Sequence, residues 1–236
     1  LSSWETARNN YDALSSVKVK ELNVNGVPYK VQFNPARIVS SGAKVDAKTI
    51  KERKCFLCPA NLPAVQKGVP FKEHYNILVN PFPIFPRHLT VPELAHVDQR
   101  IATRMEDMLD LAQALTDYVI FYNGPKCGAS APDHAHFQAG NKGFLPIEKD
   151  WRNQIAGKVA DYEQATLWYM NDAPRATLVI ESTSKENAVH VFDIIYRSLT
   201  VKPGEEEPMM NVLALYEDEK WVVFVFPREK HRPACY

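Results

Sequence analysis

The residues best suited to chemistry lie in one run, Asn123-Gly124-Pro125-Lys126-Cys127-Gly128-Ala129-Ser130-Ala131-Pro132-Asp133-His134-Ala135-His136-Phe137-Gln138. A strand is expected over His134 to Ala139. Its side-chain period of two would put His134, His136 and Gln138 on one face, with Ala135 and Phe137 turned into a core. Imidazole beside a phosphate can act as general acid, metal ligand or nucleophile at phosphorus. A histidine nucleophile splits one hard transfer into two easier steps through a phosphoramidate. Gln138 can donate its amide to a non-bridging oxygen but protonates a leaving group poorly, which favours transfer between phosphorylated partners over hydrolysis. The alternative is a partly exposed polar strand face with no chemistry. The loop before the histidines suits an anion: Gly124 and Gly128 let backbone N–H groups approach phosphate oxygens, Ser130 adds a hydroxyl, Asn123 an amide and Lys126 a charge.

Cys55 and Cys58 form a Cys-x-x-Cys with the spacing of half a tetrahedral zinc site. The other half would come from among His88, His96 and His134. Two thiolates and two imidazoles leave no open position, so such a zinc would be structural and would clamp the Cys loop to the strand carrying His136. The competing reading is a pair of buried thiols or a redox pair. Cys127 and Cys235 have no assigned role. Near the end, Pro227-Arg228-Glu229-Lys230-His231-Arg232-Pro233 is a compact basic cluster. It is either a solvated strand exit or a place from which Arg228 or Lys230 reaches a phosphate.

Several elements must position these groups. A helix is expected from Ser2 to about Ser15, opened by capping-box spacing between Ser2 and Glu5. A hairpin follows over Val17–Val24 and Val27–Phe33, turning on Asn25-Gly26. A short basic helix over Val45–Lys54 leads into Cys55. Strands at Tyr75–Val79 and His88–Val91 flank a connector whose three prolines forbid helix. The periodicity of Ile101, Met105, Met108, Ala112 and Leu115 predicts a helix over Asp98–Leu115. A strand at Tyr118–Tyr122 then enters the loop. Beyond Gly140 the pattern predicts a helix over Trp151–Met170 and a strand at Thr177–Glu181. A helix to Leu199, opened by Thr183 and Glu186, an acidic loop at Pro203–Pro208 and a last hairpin over Asn211–Tyr216 and Trp221–Phe226 complete the chain. The expected fold class is α+β, largely an antiparallel sheet with packed helices. The expected organisation is a catalytic module over 1–143 and a diverged second module over 144–236. No sequence repeat supports a duplication.

Composition bounds the partners. The 236 residues carry 28 basic and 28 acidic side chains, 45 % apolar content and 24 % charge. That apolar content excludes intrinsic disorder, and no apolar run approaches the ~20 residues of a membrane span. Zero net charge argues against a nucleic-acid or membrane-surface binder. A small phosphorylated ligand remains compatible, because a site needs only a few local donors. The chain opens at Leu1 without a charged-then-apolar leader; a fragment or a removed segment is expected, and a cytoplasmic location.

The run Gly128-Ala129-Ser130-Ala131-Pro132-Asp133-His134-Ala135-His136-Phe137-Gln138 resembles the Gly-x-Ser-x-Pro-His-x-His-x-Gln pattern of the histidine-triad superfamily, in its transferase branch. That branch includes galactose-1-phosphate uridylyltransferases, diadenosine tetraphosphate phosphorylases and GDP-hexose phosphorylases. Asp133 is one residue more than the pattern holds. Asn123-Gly124 resembles the start of the family's phosphate loop, and Cys55 and Cys58 its zinc cysteines. His88-Leu89-Thr90-Val91-Pro92-Glu93-Leu94-Ala95-His96 is similar to the segment that brings a further ligand. The resemblance implies that His136 is the nucleophile taking the nucleotidyl group, that Gln138 and Ser130 contact phosphate, and that His134 stands on the metal side. For the last ligand it ranks His96 before His88. It implies a nucleotidyltransferase or phosphorylase using a nucleotide-sugar or dinucleoside polyphosphate, with a phosphorylated acceptor or inorganic phosphate as second partner. Structural zinc and no organic cofactor are expected, and a homodimer is compatible. The rival readings are a nucleotide hydrolase of the same superfamily and a non-catalytic, zinc-stabilised nucleotide-binding protein.

Overall fold

The structure is a computed structural model that describes residues 1, 3–37, 45–170 and 176–231. The expected cap at Ser2, and Cys235 with the end of the basic cluster, lie outside the described residues. Ten strands form one antiparallel sheet: β3 (Gly68–Phe71), β4 (Tyr75–Val79), β5 (His88–Pro92), β6 (Tyr118–Asn123), β7 (His136–Asn141), β8 (Ile155–Tyr162), β9 (Ala165–Met170), β10 (Thr177–Ser182), β11 (Met210–Glu217) and β12 (Lys220–Pro227). Their spatial order is β3-β4-β5-β7-β6-β11-β12-β10-β9-β8. Strands β1 (Lys18–Val24) and β2 (Val27–Phe33) form a separate hairpin, turning on Asn25 and Gly26 at positive φ. The helices are α1 (Glu5–Asp12), α2 (Ala47–Glu52), α3 (Met105–Ala114), α4 (Ile147–Asp150) and α5 (Lys185–Ser198). The α+β class with a largely antiparallel sheet is therefore as expected.

The order conceals a repeat of connectivity. In each half, three strands lead into a helix and then two more strands, and the fifth strand inserts between the third and fourth. The first half runs β3, β4, β5, α3, β6, β7; the second runs β8, β9, β10, α5, β11, β12. The halves join where β6 pairs antiparallel with β11, Asn123 opposite Asn211. The core on one face unites Met105, Met108 and Leu109 of α3 with Val191, Phe192 and Ile195 of α5 and the inward residues of both half-sheets, Phe137 among them. On the other face Trp151, Val179 and Phe224 form a second cluster.

Four expectations need correction. Residues Trp151–Met170 are not a helix: after a short turn they form the β8–β9 hairpin. The hairpin turns at Glu163, which adopts φ 48° without being Gly or Asn, so no turn signal shows. α3 begins at Met105 instead of Asp98, because the segment before it runs extended beside the histidine loop: Ala135 N–H donates to Val97 O at 2.7 Å and Gln99 N–H to Pro132 O at 3.1 Å. α5 is capped by Ser184 instead of Thr183; its hydroxyl accepts from Asn187 N–H at 3.2 Å. Finally β7 begins at His136, so His134 lies off the strand and does not share its face. β3 was not foreseen; with Pro70 it fits the sheet edge that it occupies.

Candidate active site

The alternation of β7 turns His136 and Gln138 to the face opposite Phe137, whose ring packs on Tyr75 in the core. His136 is only 5 % exposed. Its Nδ1–H donates to the carbonyl of His134 at 2.8 Å, leaving Nε2 as the free lone pair. Burial pushes the imidazole down to about 4, against the pull of that hydrogen bond, so the ring is neutral near pH 7. Its backbone is gripped by Gln99, which sequence reasoning missed. Gln99 Oε1 accepts from His136 N–H at 2.7 Å, and Gln99 Nε2 donates to the carbonyls of His136 and Asn123, each at 3.0 Å. Residue type alone does not separate this glutamine from a solvated one.

Gln138 is oriented by His88, the second-ranked metal candidate. Ile84 N–H donates to His88 Nδ1 at 3.1 Å, which fixes the tautomer, and His88 Nε2–H then donates to Gln138 Oε1 at 3.1 Å. The amide nitrogen of Gln138 is thereby left as the end available to a ligand. His88 is buried, and burial together with the nearby charge of Arg37 holds its imidazole down to about 3, against the raising hydrogen bond to Gln138. His88 therefore stands behind Gln138 and outside the cysteine cluster.

That cluster consists of Cys55, Cys58, His96 and His134, whose ligand atoms all lie within 4.8 Å of one another. Cys55 Sγ is 3.3 Å and Cys58 Sγ 3.6 Å from His134 Nδ1, while His96 Nδ1 is 3.3 Å from both Cys58 Sγ and His134 Nδ1. Tetrahedral zinc with bonds of ~2.3 Å to sulfur and ~2.0–2.1 Å to nitrogen spaces its ligands by about 3.3–3.8 Å; these four distances fall in that range, and the other two pairs lie within 4.8 Å. His134 Nε2–H donates to Glu93 O at 2.7 Å, so Nδ1 is the lone pair directed at the cluster. Burial raises the Cys55 thiol, but the His134 hydrogen bond and the N–H groups of Leu57 and Cys58 outweigh it and bring it to about 6. This donor set could hold a metal ion such as zinc. Asp133, the residue extra to the pattern, pairs with Arg53 at 2.5 Å and ties the loop before His134 to the segment before Cys55.

A cavity of about 500 Å³ opens on this face of the sheet. Ser130, His136 and Gln138 line it together, beside Asn80, Thr90 and apolar walls that include Leu62, Leu78 and Phe82. The other phosphate candidates are not among its lining residues. Asn123 accepts from Asn211 Nδ2 at 2.7 Å. Gly124 lies so close to Met210 O that a Cβ would sit 2.8 Å from it, so its glycine is a packing requirement of the sheet junction. Gly128 turns the loop at positive φ. Lys126 is 57 % exposed and faces Glu205 at 3.9 Å. Arg228 donates to Asn211 Oδ1 at 2.5 Å, and Asn211 Nδ2 donates to Cys127 O at 2.8 Å. Arg228 thus braces the loop from behind.

Solved structures share this architecture. Yeast Ap4A phosphorylase Apa2 in complex with Ap4A matches over 96 % of this chain and 80 % of that chain, with a TM-score of 0.59 and 19 % identity. A DUF4931 family protein from Bacillus cereus matches over 71 % of this chain and 88 % of that one, with a TM-score of 0.54 and 19 % identity. A uridylyltransferase matches over 76 % and 81 %, with a TM-score of 0.50 and 12 % identity. The chain therefore has the fold that these solved structures share. No curated protein matches it. The model of the domain of unknown function DUF4922 matches residues 1–141, more than half of the chain, and the chain belongs to that family.

Proposed function

We propose that the protein is a nucleotidyltransferase or phosphorylase working through a nucleotidyl-histidine at His136. The observation that carries this reading is the state of His136: buried, neutral, with Nδ1–H spent on the His134 carbonyl and Nε2 free in a cavity shared with Gln138 and Ser130. The α-phosphorus of a nucleotide-sugar or dinucleoside polyphosphate would sit against Nε2. As the Nε2–P bond forms, the P–O bond to the leaving phosphate breaks, and that oxygen departs with the electron pair. The imidazole gains positive charge, which the His134 carbonyl stabilises through Nδ1–H. The Gln138 amide and the Ser130 hydroxyl would donate to the non-bridging oxygens. An oxygen of inorganic phosphate or of a phosphorylated acceptor then attacks phosphorus from the opposite side, and Nε2 leaves with its electron pair. None of the groups facing the phosphorus is a strong acid, which suits leaving groups and acceptors that are themselves phosphates.

Cys55, Cys58, His96 and His134 would hold zinc. With four protein ligands no coordination position remains for substrate, so the ion would supply a clamp between the Cys loop and the turn that positions His136.

The test is to incubate the protein with a panel of nucleotide-sugars and dinucleoside polyphosphates, without acceptor, and to look by intact mass for a nucleotidyl adduct. An adduct discharged by phosphate or a sugar phosphate is expected, with His136→Ala lowering turnover by at least ~10⁴-fold. Acceptor-independent release of free nucleotide would favour the hydrolase, and full activity in His136→Ala would sink the assignment.

A further inference from the structure

We propose that Phe56 and Trp4 form the stacking platform for the base of the bound nucleotide, so that the cysteine loop and the N-terminal helix together build the base subsite. This rests on reading the cavity as a nucleotide site. Both side chains line it, yet they come from opposite parts of the first 60 residues, and neither belongs to the histidine run.

Phe56 lies between two residues of the cysteine cluster. Its neighbours Cys55 and Leu57 are buried and pack with Ala131, and Asn61 Nδ2 donates to Cys55 O at 2.8 Å, which pins the loop. Alternation along this loop leaves the Phe56 ring outside, 47 % exposed, over the cavity. One face of the ring is covered by the Arg53 guanidinium, 4.7 Å from its centroid, and Arg53 is itself held by Asp133. The ring is thus backed on one side and open on another. A large aromatic held this way on an apolar cavity wall is a preorganised surface for a planar ligand.

Trp4 precedes α1 in an extended conformation. The helix is docked by Asn10 Nδ2 donating to Pro81 O at 2.8 Å and by Tyr11 Oη donating to His88 O at 2.9 Å. Pro81 and Phe82 line the same cavity. Six residues before Asn10, Trp4 stands ~9 Å further along the helix axis, which carries its indole to the cavity rim. A phosphoryl group needs the neutral donors at Ser130 and Gln138. The rest of a nucleotide needs a flat apolar surface, and these two rings supply it. Stacking of this kind tolerates any base, because every base has a π-face.

The test measures binding of AMP, GMP, CMP and UMP, and of ribose 5-phosphate as the probe without a base, by calorimetry. The proteins are the wild type, Phe56→Ala, Phe56→Tyr, Trp4→Ala and Trp4→Phe, each checked for metal content and melting temperature. Alanine at either position is expected to weaken nucleotide binding by about 5- to 100-fold, with ribose 5-phosphate unchanged and the aromatic replacements within about threefold of wild type. Nucleotide should also quench a part of the tryptophan fluorescence that Trp4→Phe lacks, a readout that does not depend on the alanine variants folding. Unchanged nucleotide affinity in a folded, metal-replete Phe56→Ala would overturn the platform while leaving the nucleotide reading intact. A wild type that binds none of the four nucleotides would overturn both.

Discussion

A nitrogen that attacks phosphorus must be unprotonated, and here two histidines are kept neutral by being buried. His136 offers its free Nε2 to the cavity, while His88 spends both ring nitrogens, one accepting from Ile84 and one donating to Gln138. His88 therefore has a signature in stability. Its imidazole takes up a proton near the ordinary 6.5 in the unfolded chain but only near about 3 in the folded one, chiefly because it is buried. Below pH 6.5 the unfolded state binds the extra proton, so this contribution to stability is lost progressively as pH falls towards 3. Between pH 6.5 and 4.5 the loss amounts to about 2 kcal/mol. Urea unfolding across that range should show a shallower decline in His88→Gln than in the wild type, whatever the variant's stability at neutral pH. Equal slopes would mean that another group carries the acid sensitivity.

Two short elements carry the cluster: the loop from Cys55 to Cys58, and the turn from Pro132 to His134 with its partner segment ending at His96. Neither has regular secondary structure to hold it, so a bound metal should matter to both. The wild type is expected to hold about one zinc per chain and Cys55→Ser close to none. With free zinc ~100-fold above its dissociation constant, binding adds about 2.7 kcal/mol, or ~5–10 °C in Tm for a chain of this size. Scanning calorimetry with and without a chelator, beside metal analysis, measures it; an unchanged Tm in a protein shown to lose metal would refute the clamp. This is also the scale at which sequence and structure part. His136 and Gln138 stood out by their spacing on one strand and Cys55 and Cys58 by theirs, whereas spacing left His88, His96 and His134 open as partners of the cysteines and only the family resemblance put His96, which lies in the cluster, ahead of His88. Both hairpins whose strands alternate or whose turn is Asn-Gly were legible. The β8–β9 hairpin was not, because Glu163 turns the chain without a turn residue and the flanking run has no clear period. Gln99 and the late start of α3 were hidden for one reason: the extended course of 97–99 is set by pairing with residues 132–135, far along the chain.

The whole molecule repeats one connectivity but carries the histidine run and the cysteine cluster in one copy. Strand β12 occupies in the second half the place that β7 has in the first, and it reads Lys220-Trp221-Val222-Val223-Phe224-Val225-Phe226-Pro227, with no histidine or glutamine. What the second half contributes is support: Asn211 and Arg228 brace the loop through Asn123 and Cys127, and Trp221 Nε1 donates to Leu109 O in α3 at 3.1 Å. Because β6 pairs with β11 and both helices share one apolar cluster, the halves should unfold together. Phe192 in α5 is fully buried in that cluster, remote in sequence from every residue of the site. Phe192→Ala should cost about 3–5 kcal/mol. It should also lower the midpoint of metal release, followed with a chromogenic chelator, by the same denaturant shift as the loss of circular dichroism. Metal release that holds its wild-type midpoint while the circular dichroism shifts would show that the first half stands without the second.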